Sequence, residues 1–448
     1  MDMYVIPTHR KCFDAINSAY EEIKYLRKLN AVDITLVLLD NSKQDIFESN
    51  ERYLRKLKSE IPTYHVSLND MNKIIYEVSK KVSINYEQLK EMLLPDKTDY
   101  GKIYNFIYII ATILKVDRFY RRDSDCSNKL LDKRRYPIII ENEYLGKNVN
   151  NILNKSIQEE HIKYTENEKV CIVGSGYEGN WDLDMEEIVL KNPNAMKELM
   201  KICSIDEEII DEQYNLKYIQ EEKEATGLPI ISTIFEPSHA IECGNMGMSE
   251  VYQYLCNFIG EYGIGFDYHV GFISSLCKVP IIYHKNKNTH IHDENRRKDI
   301  NLFNYWKGIL KMVDFDNYHY EFIKGNYTNI ICKENNRLEA IKSSCNKLLP
   351  DLLEEILDKY DREKRINIFN EIIEKVLEPT DIEIYKEIAK YLDNIKYDLI
   401  DELNYDYKLS IQLQRNWPTI ISALNDIDNN VIYEILTSVK QGDNIWRE

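Results

Sequence analysis

The chain has 448 residues, of which 44% are apolar and 30% are charged, and its formal net charge at pH 7 is −17. This composition is typical of a folded protein of two or three domains. The acidic excess disfavours nucleic acid and anionic membranes as general partners, because both require a basic surface.

Two features of the sequence bear on where the protein works. The longest nearly apolar run, YNFIYIIATIL, has 11 residues and is too short to span a bilayer. The first ten residues lack the basic and apolar regions of a secretory signal. We therefore expect a cytoplasmic protein without a membrane span. The nine cysteines are scattered without a C-x-x-C pair, so we expect reduced, mostly buried thiols.

The first part of the chain alternates apolar runs with helical patterns. The runs MYVIP, DITLVLLDNS and TYHVSLN predict strands, and the segments between them have helical spacing. Continuous apolarity, as in ITLVLL, is typical of a strand buried on both faces of a parallel sheet. Further helices are expected between 70 and 94. The segment KIYNFIYIIATILK then leads into a strand that ends at Asp123. The pattern predicts an open α/β sheet with Thr8, Asp40 and Asp123 at its ligand-binding edge.

The rest of the chain has two parts that differ in sequence pattern. Between about 135 and 325, YPIII, KVCIVGSG and KVPIIYH predict strands, and helices are expected near 194–203 and 249–259. From about 335, Leu and Ile recur at helical spacing with very little glycine. We therefore predict an α/β domain over residues 1–330, with a mixed, mostly parallel sheet flanked by helices. An all-helical domain over residues 331–448 follows it.

Asp123 and Asp125 follow a predicted strand directly. If the strand continues, both side chains point to the same face, because side chains repeat every second residue. Two like charges there repel each other, and a divalent metal or an arginine would relieve the repulsion. The alternative is a charged turn on the surface.

The segment YGKIYNFIYIIATILKVDRFYRRDSDC resembles the glycosyltransferases of the GT-A, or nucleotide-diphospho-sugar transferase, fold, and the resemblance covers residues 3 to 300. Gly101, Asn105 and the Asp-x-Asp motif occur in the family's order, which implies that they contribute to the donor site. The resemblance implies that Asp125 binds Mn²⁺ or Mg²⁺ at the donor diphosphate, and that Asp123 contacts the ribose or shares the metal. A metal suits this chemistry because the departing diphosphate gathers negative charge.

Other donor contacts follow from the same resemblance. Thr8 and Arg10, in IPTHR, match the nucleotide-binding turn, although Thr8 could instead cap a helix. Asp40 matches an acidic residue that binds the nucleobase, and its alternative is an Asx turn. Arg121 and Arg122 depart from the family pattern. One of them could pair with Asp123 or contact a phosphate, and the alternative is a solvated pair. Arg122 is the predicted donor contact.

The acceptor side is predicted in GIGFDYHVGF. The resemblance implies that Asp267 is the general base, and a carboxylate can be ionised and within reach of the acceptor. The alternative is a helix N-cap, and His269 is expected to be structural. In THIHDENRR, the resemblance implies a histidine that closes the metal site, and His292 is preferred over His290. The arginines that follow, at 296 and 297, could bind diphosphate or form a solvated turn.

GSGYEGNWDLD matches a dinucleotide fingerprint only formally, because NWDLD is a poor helix start. We interpret Gly174–Gly179 as a substrate-side loop in which Trp181 stacks on a sugar or base, unless Trp181 is a core aromatic.

These features together predict a metal-dependent glycosyltransferase. It would move a sugar from a nucleotide-diphosphate donor, UDP-linked by the family resemblance, to a soluble small-molecule, peptide or glycan acceptor. Inversion is favoured, and a homo-oligomer is left open. The alternatives are a non-catalytic interaction protein that uses its C-terminal helices and a sugar-nucleotide nucleotidyltransferase. The nucleotidyltransferase is disfavoured because PTHRKCF lacks glycine.

Overall fold

The computed structural model describes residues 1–30, 32–57, 61–128, 133–158, 164, 167–179, 185–203, 205, 207–215, 228–233, 241–291, 300–320, 325, 337–344, 348–359, 361–436 and 439. The described strands, in chain order, are β1 Asp2–Thr8, β2 Ile34–Asp40, β3 Thr63–Ser67, β4 Arg118–Arg122, β5 Cys126–Ser127, β6 Ile157–Gln158, β7 Ile172–Gly174, β8 Tyr177–Gly179, β9 Ile230–Ser232, β10 Asn245–Ser249, β11 Ile281–Tyr283 and β12 Asn288–His290.

The described helices lie on both faces of the sheet and form the C-terminal stretch. They are α1 Phe13–Leu29, α2 Gln44–Lys56, α3 Leu68–Ser79, α4 Tyr86–Leu93, α5 Tyr100–Ile113, α6 Pro137–Tyr144, α7 Glu186–Lys191, α8 Pro193–Ile202, α9 Ile210–Tyr214, α10 His269–Leu276, α11 Ile300–Asp314, α12 Arg337–Ser344, α13 Leu348–Asp358, α14 Arg362–Ile372, α15 Glu383–Asn425 and α16 Asn429–Ile435.

Nine of these strands form one mixed sheet in the order β3-β2-β1-β4-β10-β7-β11-β9-β6. Strands β3, β2, β1 and β4 run parallel to one another. Strand β10 runs antiparallel to β4 and to β7. A second sheet has the order β5-β12-β8. The predicted α/β class, with a large, mostly parallel sheet flanked by helices, is confirmed.

The N-terminal β-α-β-α-β prediction is also confirmed. In β2, Leu36, Val37, Leu38 and Leu39 are completely buried. A parallel strand covered by helices on both faces requires this continuous apolarity. The carboxyl ends of β1, β2 and β4 therefore meet at one edge, as the sequence predicted.

Two local predictions were wrong. YPIII is not a strand but the start of α6, in which Pro137 occupies the first turn, where its missing N–H costs nothing. No helix runs from 249 to 259. Strand β10 ends at Ser249, a short 3₁₀ turn covers Val251–Gln253, and the chain then continues irregularly.

The hydrophobic core has one part on each face of the sheet. Tyr4 and Ile6 of β1 point to the face that α1 and α6 cover, whereas Met3 and Val5 point to the face that α5 covers. The C-terminal helices pack on the α5 face and share its core. For example, Trp417 Nε1 donates to the Tyr252 carbonyl at 3.0 Å. The predicted boundary at 330/331 lies outside the described residues, and the two-domain division stays a prediction.

Two sequence-based expectations concern membrane spans and cysteines. No described helix combines the length and apolarity that a bilayer crossing requires. The seven described cysteines are free thiols, and all but Cys203 are buried, as predicted for them.

Candidate active site at the carboxyl edge of the sheet

The predicted site residues Asp123 and Asp125 lie in the turn after β4. Asp123 is held at both oxygens. Oδ1 accepts hydrogen bonds from Arg121 Nε at 3.1 Å and Nη2 at 2.8 Å, and Oδ2 accepts one from the Tyr177 hydroxyl at 3.1 Å. The side chain of Asp123 is still 29% exposed. The predicted pairing of one arginine with Asp123 is therefore present, through Arg121.

Gly244 packs directly against this carboxylate. Its carbonyl accepts a hydrogen bond from the Asp123 backbone N–H at 3.1 Å. A Cβ at this position would lie 2.1 Å from Asp123 Oδ2 and 2.0 Å from the Tyr177 hydroxyl, far inside van der Waals contact. Only glycine fits here without displacing the two side chains.

Asp125 faces a cation and an imidazole. Its Oδ2 accepts a hydrogen bond from Arg10 Nη1 at 3.3 Å, and its Oδ1 lies 3.6 Å from His290 Nε2. Strand β12 pairs with β5 and aligns His290 with Cys126, next to Asp125 in the chain. The His290 ring is buried and stacks on Tyr177 with the centroids 4.7 Å apart. His290 is therefore the histidine that the structure brings to Asp125. His292, the preferred residue of the sequence prediction, lies outside the described residues, as do the arginines at 296 and 297.

Arg121 also reaches the predicted base. Its Nη1 lies 3.6 Å from Asp267 Oδ2, and its guanidinium carbon lies 4.1 Å from the centre of the Tyr104 ring. Burial raises the pKa of Asp267 to about 6, a shift that Arg121 opposes and the nearby Asp123 charge reinforces. A carboxyl with this pKa is mostly ionised at pH 7 and can accept a proton.

In the structure, Asp267 is not the N-cap of a helix. Asp267 lies inside the 3₁₀ turn Phe266–Tyr268, which follows Gly265 at φ +81°. Tyr268 occupies the cap position of α10 and makes no side-chain cap. His269 is buried against Phe258, and burial lowers its pKa to about 3, which fits its predicted structural role.

Thr8 and Arg10 form a tight turn after β1. The Thr8 hydroxyl accepts a hydrogen bond from the Arg10 N–H at 3.1 Å and contacts the Arg10 carbonyl at 2.9 Å. Helix α1 begins only at Phe13, so Thr8 is not its cap. The Arg10 side chain remains 32% exposed beside Asp125. The turn therefore presents a guanidinium at the sheet edge.

Asp40 supports this turn from inside the protein. Its carboxylate is fully buried and accepts hydrogen bonds from the Ser42 N–H at 2.9 Å and Asn50 Nδ2 at 2.9 Å, with His65 Nε2 at 3.0 Å. Burial raises the pKa of Asp40, but these partners outweigh it and lower the pKa overall. Asn50 Nδ2 also donates to the Arg10 carbonyl at 3.0 Å. The Asx-turn alternative is the observed arrangement. Asp40 has no exposed carboxylate oxygen with which to make the predicted nucleobase contact.

Gly101 and Asn105 were predicted as donor contacts, but they hold the scaffold together. Both are buried in α5. A Cβ on Gly101 would lie 1.5 Å from the Phe258 carbonyl oxygen. Asn105 Nδ2 donates to the Asn257 carbonyl at 3.0 Å, and its Oδ1 accepts from the Asn257 N–H at 2.7 Å. These contacts fix the segment that leads to Asp267.

The assignment of Arg122 to the donor site was wrong. Its guanidinium binds Glu141 at 3.0 and 2.6 Å and lies 3.3 Å from Glu22. Neighbouring residues of a strand point to opposite faces, so Arg121 points to the α5 side, where it stacks on Tyr104, while Arg122 is buried beneath α1 and α6. There it is the shared counter-ion of two carboxylates. Burial, opposed by Arg122, raises the pKa of Glu141 to about 7.

Sequence reasoning missed the roles of Tyr177, Gly244 and Tyr104. Tyr177 and Gly244 lie in the glycine-containing segments GSGYEG and CGNMG, but their contact with Asp123 depends on the order of the strands. Tyr177 follows β7 as β8 and not as a helix, in line with the rejected dinucleotide fingerprint. Trp181 lies outside the described residues. Across the described part of the chain, no group of three or more His, Cys, Asp or Glu side chains is arranged as a metal site.

The family model that matches this chain covers residues 3–431 and describes a family of unknown function, DUF6271. The chain belongs to the DUF6271 family. The match runs through the sheet and the C-terminal helices alike, so both are part of what defines a DUF6271 protein. No curated protein matches the chain.

Proposed function

We propose that this DUF6271 protein is a metal-dependent glycosyltransferase that uses a nucleotide-diphosphate sugar. The observation that carries the proposal is the meeting of Asp125 and His290 at the carboxyl edge of the sheet, beside the Arg121 contacts to Asp123 and Asp267. The resemblance around the Asp-x-Asp motif supports the donor class and favours UDP.

The donor atoms fit a divalent ion. Asp125 Oδ1 and His290 Nε2 are 3.6 Å apart, and bonds of about 2.1 Å from each would reach a common ion. Carboxylate and imidazole together suit Mn²⁺, and Mg²⁺ needs few protein ligands when phosphates complete its shell. Both oxygens of Asp123 already bind Arg121 and Tyr177. Asp125 and His290 are therefore the ligands that we propose, with Asp123 beside them.

A divalent ion held there would neutralise charge on the departing diphosphate. Arg10, at the Thr8 turn, would donate hydrogen bonds to phosphate oxygens, since a guanidinium suits oxyanions. Asp267 would take the proton of an acceptor hydroxyl. At the same time the hydroxyl oxygen of the acceptor would bond to the anomeric carbon of the donor, and the bond from that carbon to the diphosphate would break. Arg121 would keep Asp267 in position. A single base in this place supports an inverting displacement on a soluble acceptor.

The test is release of nucleoside diphosphate from a panel of UDP- and GDP-sugars, with and without Mn²⁺ or Mg²⁺. We expect metal-dependent release from at least one donor, and a loss of about 100-fold or more in Asp125→Asn. Asp351→Asn is the matched control, because Asp351 forms an exposed ion pair with Arg415 on the C-terminal helices. Absence of turnover with every donor would favour the non-catalytic alternative.

A further inference from the structure

Arg10 combines a fixed backbone with a side chain that can move. Its N–H and carbonyl contact the Thr8 hydroxyl, and its carbonyl also accepts from Asn50. Its guanidinium makes a single 3.3 Å hydrogen bond to Asp125 and lies 3.3 Å from the His9 ring. The side chain is 32% exposed. A pivot of the side chain would therefore leave the turn intact.

The two neighbouring arginines differ from Arg10 in both respects. The side chains of Arg121 and Arg122 are only 4% and 3% exposed, and each donates more than one hydrogen bond to a carboxylate. Arg121 also stacks on Tyr104. Of these three cations, Arg10 is the one that can exchange partners without unpairing a buried charge.

We propose that Arg10 is an exchangeable counter-ion of Asp125. In the ligand-free protein the Arg10 guanidinium pairs with Asp125, the proposed metal ligand, and when metal and nucleotide bind it leaves Asp125 and pairs with the nucleotide diphosphate. This rests on the proposed function. Arg10 and a divalent ion would both be drawn to Asp125, but two cations so close repel each other. The diphosphate supplies the negative charge that lets both stay. Metal and nucleotide therefore strengthen each other's binding.

The exchange predicts opposite effects of one substitution. In Arg10→Gln, Mn²⁺ alone should bind about two- to fivefold more tightly than in wild type, because the competing ion pair is gone. UDP in the presence of Mn²⁺ should bind at least about tenfold more weakly, because a charged phosphate contact is lost. A residue that merely supports the fold would weaken both.

The experiment is Mn²⁺ titration followed by electron paramagnetic resonance, and UDP titration by calorimetry at saturating Mn²⁺. Arg55→Gln is the matched control, because Arg55 lies near the far end of α2, is 30% exposed and pairs with Glu51 at 2.7 Å. Its two affinities should equal those of wild type. Arg10→Lys keeps the charge, so its affinity for Mn²⁺ alone should stay near wild type while UDP binding weakens.

The outcomes separate the two proposals. If Asp125→Asn abolishes Mn²⁺ binding while Arg10→Gln leaves it unchanged or weakens it, the proposed exchange is wrong but the proposed metal site stands. Absence of Mn²⁺ binding from wild type and from Arg10→Gln, with and without UDP, overturns the metal site and the exchange together.

Discussion

Arg121 binds Asp123 through one carboxylate oxygen, which accepts hydrogen bonds from Nε at 3.1 Å and from Nη2 at 2.8 Å. The remaining guanidinium nitrogen lies 3.6 Å from Asp267. One buried cation thus joins the carboxylate after β4 to the proposed base on a distant segment of the chain. The relative position of Asp123 and Asp267 depends on it.

Replacement of this cation should destabilise the protein strongly. In Arg121→Gln, Asp123 and Asp267 lose their counter-charge, and we expect a loss of about 3 kcal/mol in the free energy of unfolding. Urea denaturation measures it. Arg415→Gln is the control, because Arg415 also contacts two carboxylates, Asp351 and Glu354, but on the surface. It should cost no more than about 1 kcal/mol. Equal losses in the two variants would contradict the account.

Gly244 should not tolerate a methyl group. Gly244→Ala would place a carbon 2.1 Å from Asp123 Oδ2, and the side chains of Asp123 and Tyr177 must then shift. We expect a stability loss of roughly 1–3 kcal/mol together with weaker donor binding. Gly325→Ala is the control, since the described part of the chain, apart from the glycine and its direct neighbours, places no atom within 4 Å of the added carbon. If Gly244→Ala binds UDP with Mn²⁺ as wild type does, Gly244 is not needed to shape the site.

We expect the ionisation of Asp267 to determine how the rate of transfer depends on pH at acidic pH. Burial raises its pKa to about 6, so the rate of transfer should rise with pH through about 6 as the base becomes ionised. Because the folded pKa lies above the ordinary value of 3.8, the folded state holds more protons between about pH 4 and 6. The contribution of this group to stability therefore declines as the pH rises through that window.

The matching variant is Asp267→Asn, which keeps the shape but cannot take the proton. We expect transfer to fall by roughly 10²–10⁴-fold while UDP binding with Mn²⁺ stays near wild type. His269→Ala, the neighbouring buried imidazole, should lower transfer far less, although it should cost stability. Wild-type turnover by Asp267→Asn would mean that the base lies elsewhere or that the route is retaining.

Asp40 should act on the donor indirectly. Asp40→Ala removes the carboxylate that His65 contacts and one of the two acceptors of Asn50 Nδ2, and we expect a loss of about 2–4 kcal/mol in stability. Because Asn50 also holds the Arg10 carbonyl, the KM for the donor should rise more than kcat falls. Urea denaturation and steady-state kinetics measure the two effects. A variant with raised KM but unchanged stability would restore the predicted nucleobase contact.

The sequence predicts those parts of the fold and site that local pattern determines. The continuous run ITLVLL identifies a buried parallel strand, and the ends of β1, β2 and β4 place Thr8, Asp40 and Asp123 at one edge. Strand alternation alone separates Arg121 from Arg122, and that rule should have kept Arg122 out of the donor site. Similarly, a proline is common in the first turn of a helix, and Pro137 could have indicated the start of α6.

The remaining features depend on tertiary pairing. His290 and His292 are two residues apart, so strand alternation alone does not choose between them. The pairing of β12 with β5 is what brings His290 to Asp125. The contact of Tyr177 and Gly244 with Asp123 needs three segments far apart in sequence. Gly101 and Asn105 match a family order of residues, but a motif does not show which side of a helix faces the ligand.

Asp125 and His290 are the proposed ligands of the divalent ion. The most direct test is an anomalous difference map from crystals grown with Mn²⁺ and UDP, collected near the manganese absorption edge. We expect a manganese peak about 2.1–2.2 Å from Asp125 Oδ1 and His290 Nε2, with the UDP phosphates beside it. A UDP-bound structure without a peak at this position, or with manganese bound only elsewhere, would contradict it.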